Sequence, residues 1–202
     1  MSRNIDKIYY INLNKRGDRR EQIEKELNAF DLKYERFEAI ETPGFGIYGC
    51  GLSHLEVLKL ARANKCENVL ILEDDFTFMV SNDEFEHQLT SFFDLKLDFD
   101  VLMLSYHQLQ KDETEYGFIS RVNSAQTASG YLVNRRYYDT LIDLYEWAMP
   151  LLNETQQHWI YCNDQVWKRL QVKDTWYCFT QRIGKQSAGY SDNAQQYVDY
   201  DV

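Results

Sequence analysis

Residues 68–76 read NVLILEDDF, and the fold turns on them. Residues 69–72 form a short, unbroken apolar run, the pattern of a strand covered on both faces. The run ends abruptly in Glu73, Asp74 and Asp75. That places three carboxylates at the strand's carboxyl end, the edge where open α/β sheets bind their ligands. Glu73 and Asp75 share a face if the strand continues, and Asp74 points elsewhere. Close carboxylates repel, and a hard cation with oxygen ligands removes that cost. Mn²⁺ or Mg²⁺ bridging to phosphate oxygens suits such a site. The plainer alternative is an acidic turn that caps a strand and enters solvent. Phe76 and Phe78 follow at once, however, and apolar walls make unpaired carboxylates expensive.

Working outward, residues 7–13 (KIYYINL) are β-branched and aromatic and read as a first strand. Asp18 precedes Glu21 like a capping box, starting a helix through about Asn28 with Ile23, Leu27 and Phe30 on one side. Residues 34–40 (YERFEAI) alternate as a second strand. Residues 43–51 (PGFGIYGCG) are too glycine-dense for regular structure, so a second helix is expected to start at Ser53 as its N-cap. The first 75 residues thus read β-α-β-α-β, which predicts an α/β fold with a largely parallel sheet. Beyond them, residues 101–105 and 176–180 read as strands and 131–133 as a weaker one. Helices are expected over about 135–147 and 164–171, and the sequence from Gln181 onward is polar. With no repeat and only two prolines, residues 1–202 read as one domain, about 193–202 as a tail.

Composition narrows the function. At 44% apolar and 15% aromatic residues, the 202-residue chain can bury a core. A net charge of −10 argues against a nucleic-acid binder, which needs a basic face. It leaves room for one phosphorylated small molecule, because a local basic cluster or a metal reverses the field. No transmembrane-length apolar run and no secretory pattern occur, so a cytoplasmic location is expected. The four cysteines, Cys50, Cys66, Cys162 and Cys178, include no Cys-x-x-Cys pair, so they read as free thiols without a zinc signature.

Several stretches together resemble glycosyltransferase family 25, which includes lipooligosaccharide β-galactosyltransferases and the galactosyltransferase domains acting on collagen hydroxylysine. They are YYINLNKRGDRRE (9–21), ERFEAIE (35–41), GCGLSHLEVLKLA (49–61), VLILEDDF (69–76), ASGYLVNRR (128–136), NDQVWKRLQ (163–171) and GYSD (189–192). The resemblance implies a GT-A type, Rossmann-like fold that binds a UDP-sugar with a divalent metal, usually Mn²⁺, and transfers a hexose with inversion. The acceptor would be a glycan, a lipid-linked sugar or hydroxylysine. Residues 109–126 match nothing in the pattern.

Site roles follow from this reading. Asp75 is the first metal ligand, with Asp74 and Asp192 as further ones, and Glu73 and Asp74 bind the cation or the ribose. Asn12 and Arg16 read the uracil or ribose, and Arg19 neutralises phosphate. Ser53 and His54 border the donor pocket where the glycine-rich loop meets a helix. Gly130 lets backbone approach the sugar, and Lys185 closes over the diphosphate. The resemblance places Asp164 near the acceptor as general base, where sequence alone reads an ordinary helix cap. The alternative function is a degenerate module that binds a nucleotide or glycan without turnover. A phosphate-cradling GxxxxGK[ST] loop is absent, since no Lys-Ser/Thr follows residues 44–51.

Overall fold

The structure is a computed structural model that describes residues 4–191 and 196–199. Its first half follows the expected alternation: β1 (Lys7–Asn12), α1 (Gly17–Ala29), β2 (Glu35–Glu38), α2 (Gly46–Ala63) and β3 (Asn68–Glu73). Strand β1 pairs in parallel with both β2 and β3, so the carboxyl ends of all three lie at one edge. There follow β4 (Phe76–Phe78), α3 (Asn82–Asp94), β5 (Val101–Met103), β6 (His107–Glu113), β7 (Ile119–Gln126) and β8 (Gly130–Asn134). A 3-10 turn (Arg135–Tyr137) leads into α4 (Tyr138–Thr155), then the single turns α5 (His158–Tyr161), α6 (Asn163–Val166) and α7 (Lys168–Gln171). Last come β9 (Trp176–Phe179), β10 (Gly184–Gln186), β11 (Gly189–Ser191) and β12 (Gln196–Val198).

The main sheet has eight strands in the order β2-β1-β3-β8-β5-β9-β7-β6. Only β8 and β7 run against the other six, so the sheet is mostly parallel in direction although antiparallel pairs frame β8 and β7. Strand β3 lies third in this order, and its run has no polar face because both faces are covered. Val69 and Ile71 pack with Leu55 and Leu58 of α2 and Tyr145 of α4. Leu70 and Leu72 pack with Ile23 and Leu27 of α1 and with Phe85 of α3. Each such side chain contributes about 1.5–3 kcal/mol by leaving water, which fixes the position of the acidic turn that follows.

Four local expectations are corrected. Residues 46–51 are the first turns of α2, not a loop, because their glycines serve close packing. A Cβ on Gly49 would lie 2.2 Å from the Ile40 carbonyl oxygen, and one on Gly51 would lie 2.4 Å from Met149 Sδ. Ser53 is therefore inside α2 rather than its cap; its hydroxyl donates to Gly49 O and accepts from Ile40 N. At α1 the N-cap is Arg16 with no side-chain cap bond, and Asp18 is held by the Arg16 guanidinium instead. The helix expected over 164–171 breaks into α6 and α7 at Trp167, whose buried indole donates to Ala125 O.

Two elements were not expected. Helix α3 begins at Ser81, which accepts from Glu84 N, and buries Phe85, Leu89 and Phe92. The hairpin β6–β7 occupies the stretch that matched no family motif, with β6 on the sheet edge and mostly exposed. The polar segment after Gln181 also forms structure: β10 pairs antiparallel with β4 and closes over Phe76.

Candidate functional site

The carboxyl ends of β1 and β3, residues 39–45 and the start of α2 enclose a cleft of about 570 Å³. Leu13, Arg16 and Arg19 line it, as do Thr42, Pro43 and Phe45. Glu73, Asp74 and Asp75 lie along it, with Gln186 of β10 beside them.

The acidic turn is tightly organised. Asp74 accepts from Asn12 Nδ2 at 2.8 Å and from Arg19 Nη1 at 3.1 Å. Asp75 Oδ2 accepts from the same Arg19 nitrogen at 2.8 Å and from Gln186 Nε2 at 2.9 Å. Its other oxygen, Oδ1, is buried and has no hydrogen-bond partner among the described residues. Burial, then the neighbouring Glu73 charge, pushes the Asp75 carboxyl up to about 7, against Arg19. Burial also raises Asp74, although Asn12 and Arg19 oppose it. For Glu73 burial acts upward too, but the His54 hydrogen bond and charge outweigh it and hold the carboxyl below its ordinary range.

An orphaned carboxylate oxygen in a buried acid pair is a position a hard divalent ion would satisfy. The residues therefore fit the metal that the acidic turn suggests, with Asp75 and Asp74 as oxygen donors. Asp192, the third expected ligand, lies outside the described residues. Arg16 and Arg19 also line the cleft.

The other residues expected at the donor make these contacts within the protein. Asn12 is 1% exposed, donates its amide to Arg16 O and Asp74 and accepts from Arg36 Nε, so it holds the acid in place. His54 is fully buried, with Nε2 at 3.0 Å from Glu73 Oε1 and Nδ1 at 2.8 Å from the Tyr131 hydroxyl. Ser53 ties α2 to Ile40 beneath the cleft wall. At Gly130 a Cβ would lie 2.5 Å from the Phe76 ring, so packing alone already requires a glycine there. Lys185 is not among the described residues lining the cleft, whereas its neighbour Gln186 is. Asp164 is half-buried outside the cleft, its Oδ2 accepting from Thr127 N at 3.0 Å and its Oδ1 from the Cys162 thiol at 3.1 Å.

Sequence reading missed Arg36, Gln186, Cys50 and the 42–47 wall. Arg36 lies in the alternating stretch 34–40 that reads as a strand, but only its pairing opposite Tyr10 brings it to Asn12. Gln186 had none, because only the β10–β4 pairing brings it to Asp75.

The parallel sheet, the cleft at its carboxyl edge and the acid turn define a GT-A type α/β fold. The solved structure of mannose-1-phosphate geranyltransferase from Thermus thermophilus superposes with a TM-score of 0.51 at 7% identity, covering 91% of this chain and 74% of that one. That likeness is one of fold alone. No family model matches the chain. In sequence it is similar to procollagen galactosyltransferase 1-B of Xenopus laevis, 28% identical over 142 residues, covering 55% of this chain and 23% of that protein. A glycosyltransferase 25 family member of Drosophila melanogaster is 29% identical over 101 residues, covering 37% of this chain and 16% of the relative. The chain thus spans less than a quarter of the length of either relative, and within that span the resemblance to glycosyltransferase family 25 holds.

Proposed function

We propose that the chain is an inverting glycosyltransferase that moves a hexose, galactose or glucose, from a UDP-sugar to an acceptor hydroxyl on a glycan or hydroxylysine. The observation that carries this reading is the Asp74–Asp75 pair, bridged by Arg19 in a cleft at the carboxyl edge of the sheet. The family 25 relatives support the reaction class, and the name procollagen galactosyltransferase supports the sugar and the acceptor.

The cleft's residues divide the work. Leu13, Thr42, Pro43 and Phe45 offer a base and ribose a mixed apolar and polar slot. Arg16 and Arg19 supply positive charge in a chain of net charge −10; at an effective dielectric near 20, one such charge 4 Å from a phosphate is worth about 4 kcal/mol. Asp74 and Asp75 would hold Mn²⁺ or Mg²⁺. When bound, the ion stabilises charge building on the leaving diphosphate. Asn12 holds Asp74, and Gln186 with Arg19 holds Asp75, so the acid pair is fixed before the donor arrives.

Asp164 is the base in this scheme. Thr127 N–H anchors Oδ2, and Oδ1, whose described partner is only the weak donor Cys162 S–H, receives the acceptor proton. Its place outside the donor cleft suits the acceptor side.

The test is UDP release from UDP-galactose and UDP-glucose with glycan and hydroxylysine acceptors, for wild type and Asp164→Asn. The proposal expects acceptor-dependent release that falls about 10²–10⁴-fold in the variant, while donor binding persists. Donor binding without acceptor-dependent release under any metal would favour the degenerate binding module.

A further inference from the structure

Behind the acidic turn lies a second group of ligating side chains that differs in chemistry. Cys50 and His54 stand four residues apart on α2, so they project from one helix face. Facing them is Glu73, the last residue of β3. Their ligand atoms all lie within 4.8 Å of one another: His54 Nε2 is 3.0 Å and Cys50 Sγ 3.7 Å from Glu73 Oε1. Ligands around a tetrahedral zinc ion, at about 2.0–2.3 Å from the metal, stand roughly 3.2–3.6 Å apart. The three groups thus need only small shifts at Glu73 and a closer approach of Cys50 and His54.

We propose that Cys50, His54 and Glu73 form a second metal site, selective for a thiophilic divalent ion such as Zn²⁺. Four features of the structure support it. One thiolate, one carboxylate and one neutral imidazole carry −2 against the ion's +2, so the filled site is neutral in a largely buried place. The other ring nitrogen of His54 is fixed by the Tyr131 hydroxyl at 2.8 Å, the kind of outer partner that orients ligating histidines. Cys50 and Glu73 line the cleft, which gives an ion its entry path and leaves the fourth position facing the cleft. Sulfur and nitrogen ligands also set this site apart from the oxygen-only pair Asp74–Asp75, which suits a hard ion. The cysteine spacing contains no Cys-x-x-Cys because this arrangement is a Cys-x₃-His pair on one helix completed by a distant strand.

Binding is a simple exchange. The Cys50 S–H bond breaks, its proton leaves to water, and Sγ and the ion form a bond. The proton that His54 Nε2 donates to Glu73 also leaves to water as Nε2 bonds the ion, and the neutral imidazole keeps its proton on Nδ1, donated to the Tyr131 hydroxyl. The bound ion ties α2 to the end of β3. The site stands independently of the transferase reading, because the proposed transfer uses none of its three ligands as base or as donor contact.

Cobalt titration of the chelator-treated full chain tests it, since Co²⁺ reports both tetrahedral geometry and thiolate ligation in its absorption. Wild type should give one equivalent of intense d–d bands with a thiolate-to-cobalt charge-transfer band, and Zn²⁺ should bleach both while raising the melting temperature. Cys50→Ser, which replaces one sulfur by oxygen at a partly exposed position, should remove the charge-transfer band and the zinc-induced shift. Asp75→Asn should leave both intact. The proposal is overturned if wild type shows no charge-transfer band. It is equally overturned if the band survives Cys50→Ser, or if Asp75→Asn abolishes it.

Discussion

Replacing Asp75 by Asn should stabilise the ligand-free protein, and by an amount that depends on pH. The carboxyl is 8% exposed, and burial with Glu73 beside it moves it from its ordinary 3.8 up to about 7. Keeping a carboxyl ionised against such a rise costs about 4 kcal/mol. Because the folded state holds a proton that the unfolded chain releases, this group's stability is fully present below pH 4 and is lost as pH rises to about 7. Asn cannot ionise and its carbonyl can still accept from Arg19. The variant should therefore match wild type near pH 4 and exceed it by about 2–4 kcal/mol at pH 8. Urea unfolding of both proteins at pH 4, 6 and 8, without divalent metal, measures the difference. A difference that stays flat across this range would refute the argument that Arg19 and Gln186 leave the buried Asp75 charge only partly compensated.

Further outcomes follow from single contacts. Asn12→Ala removes the donor to Asp74 and the acceptor for Arg36, and should cost about 1–3 kcal/mol in denaturant unfolding while weakening metal-dependent UDP binding. Gly184→Ala would drive a Cβ to 2.1 Å from the Phe76 ring; thermal melting should show a loss of about 1–3 kcal/mol, and proteolysis should cut first near β10. Ser81→Ala deletes the α3 cap and should cost about 1 kcal/mol with no change in UDP binding by calorimetry. Arg19→Ala leaves the acid pair without its bridging cation, so divalent metal should raise the variant's melting temperature more than that of wild type.

How far the residues foretold the fold can be judged element by element. Strand β3 was plain because a strand buried on both faces has no polar alternation to obscure it, and the acids mark its end sharply. The start of α2 was hidden because Gly46, Gly49 and Gly51 look like turn residues. For Gly49 and Gly51 the reason is tertiary: Ile40 O and Met149 approach too closely for a side chain, and no local pattern announces that. Helix α3 was available, since Ser81 precedes Glu84 at capping-box spacing and Phe85, Leu89 and Phe92 follow helical periodicity. Strand β6 carries almost no apolar face, being a sheet edge, so its pairing depends on β7. The site divides the same way. Arg16, Arg19, Asp74 and Asp75 lie at the cleft, beside strand ends that can be recognised from sequence. The protein contacts of Asn12 and His54 were not legible, because polarity near a cleft says nothing of whether an amide or imidazole faces ligand or protein. Gln186 reaches Asp75 only through long-range strand pairing.

Calorimetric titration of UDP with and without Mn²⁺ addresses the central claim most directly, that the acidic cleft binds a nucleotide-sugar donor through a divalent ion. UDP should bind wild type in the presence of Mn²⁺, bind far more weakly in its absence, and lose that metal dependence in Asp75→Asn. UDP binding of equal strength with and without the metal, or no binding under either condition, would contradict it.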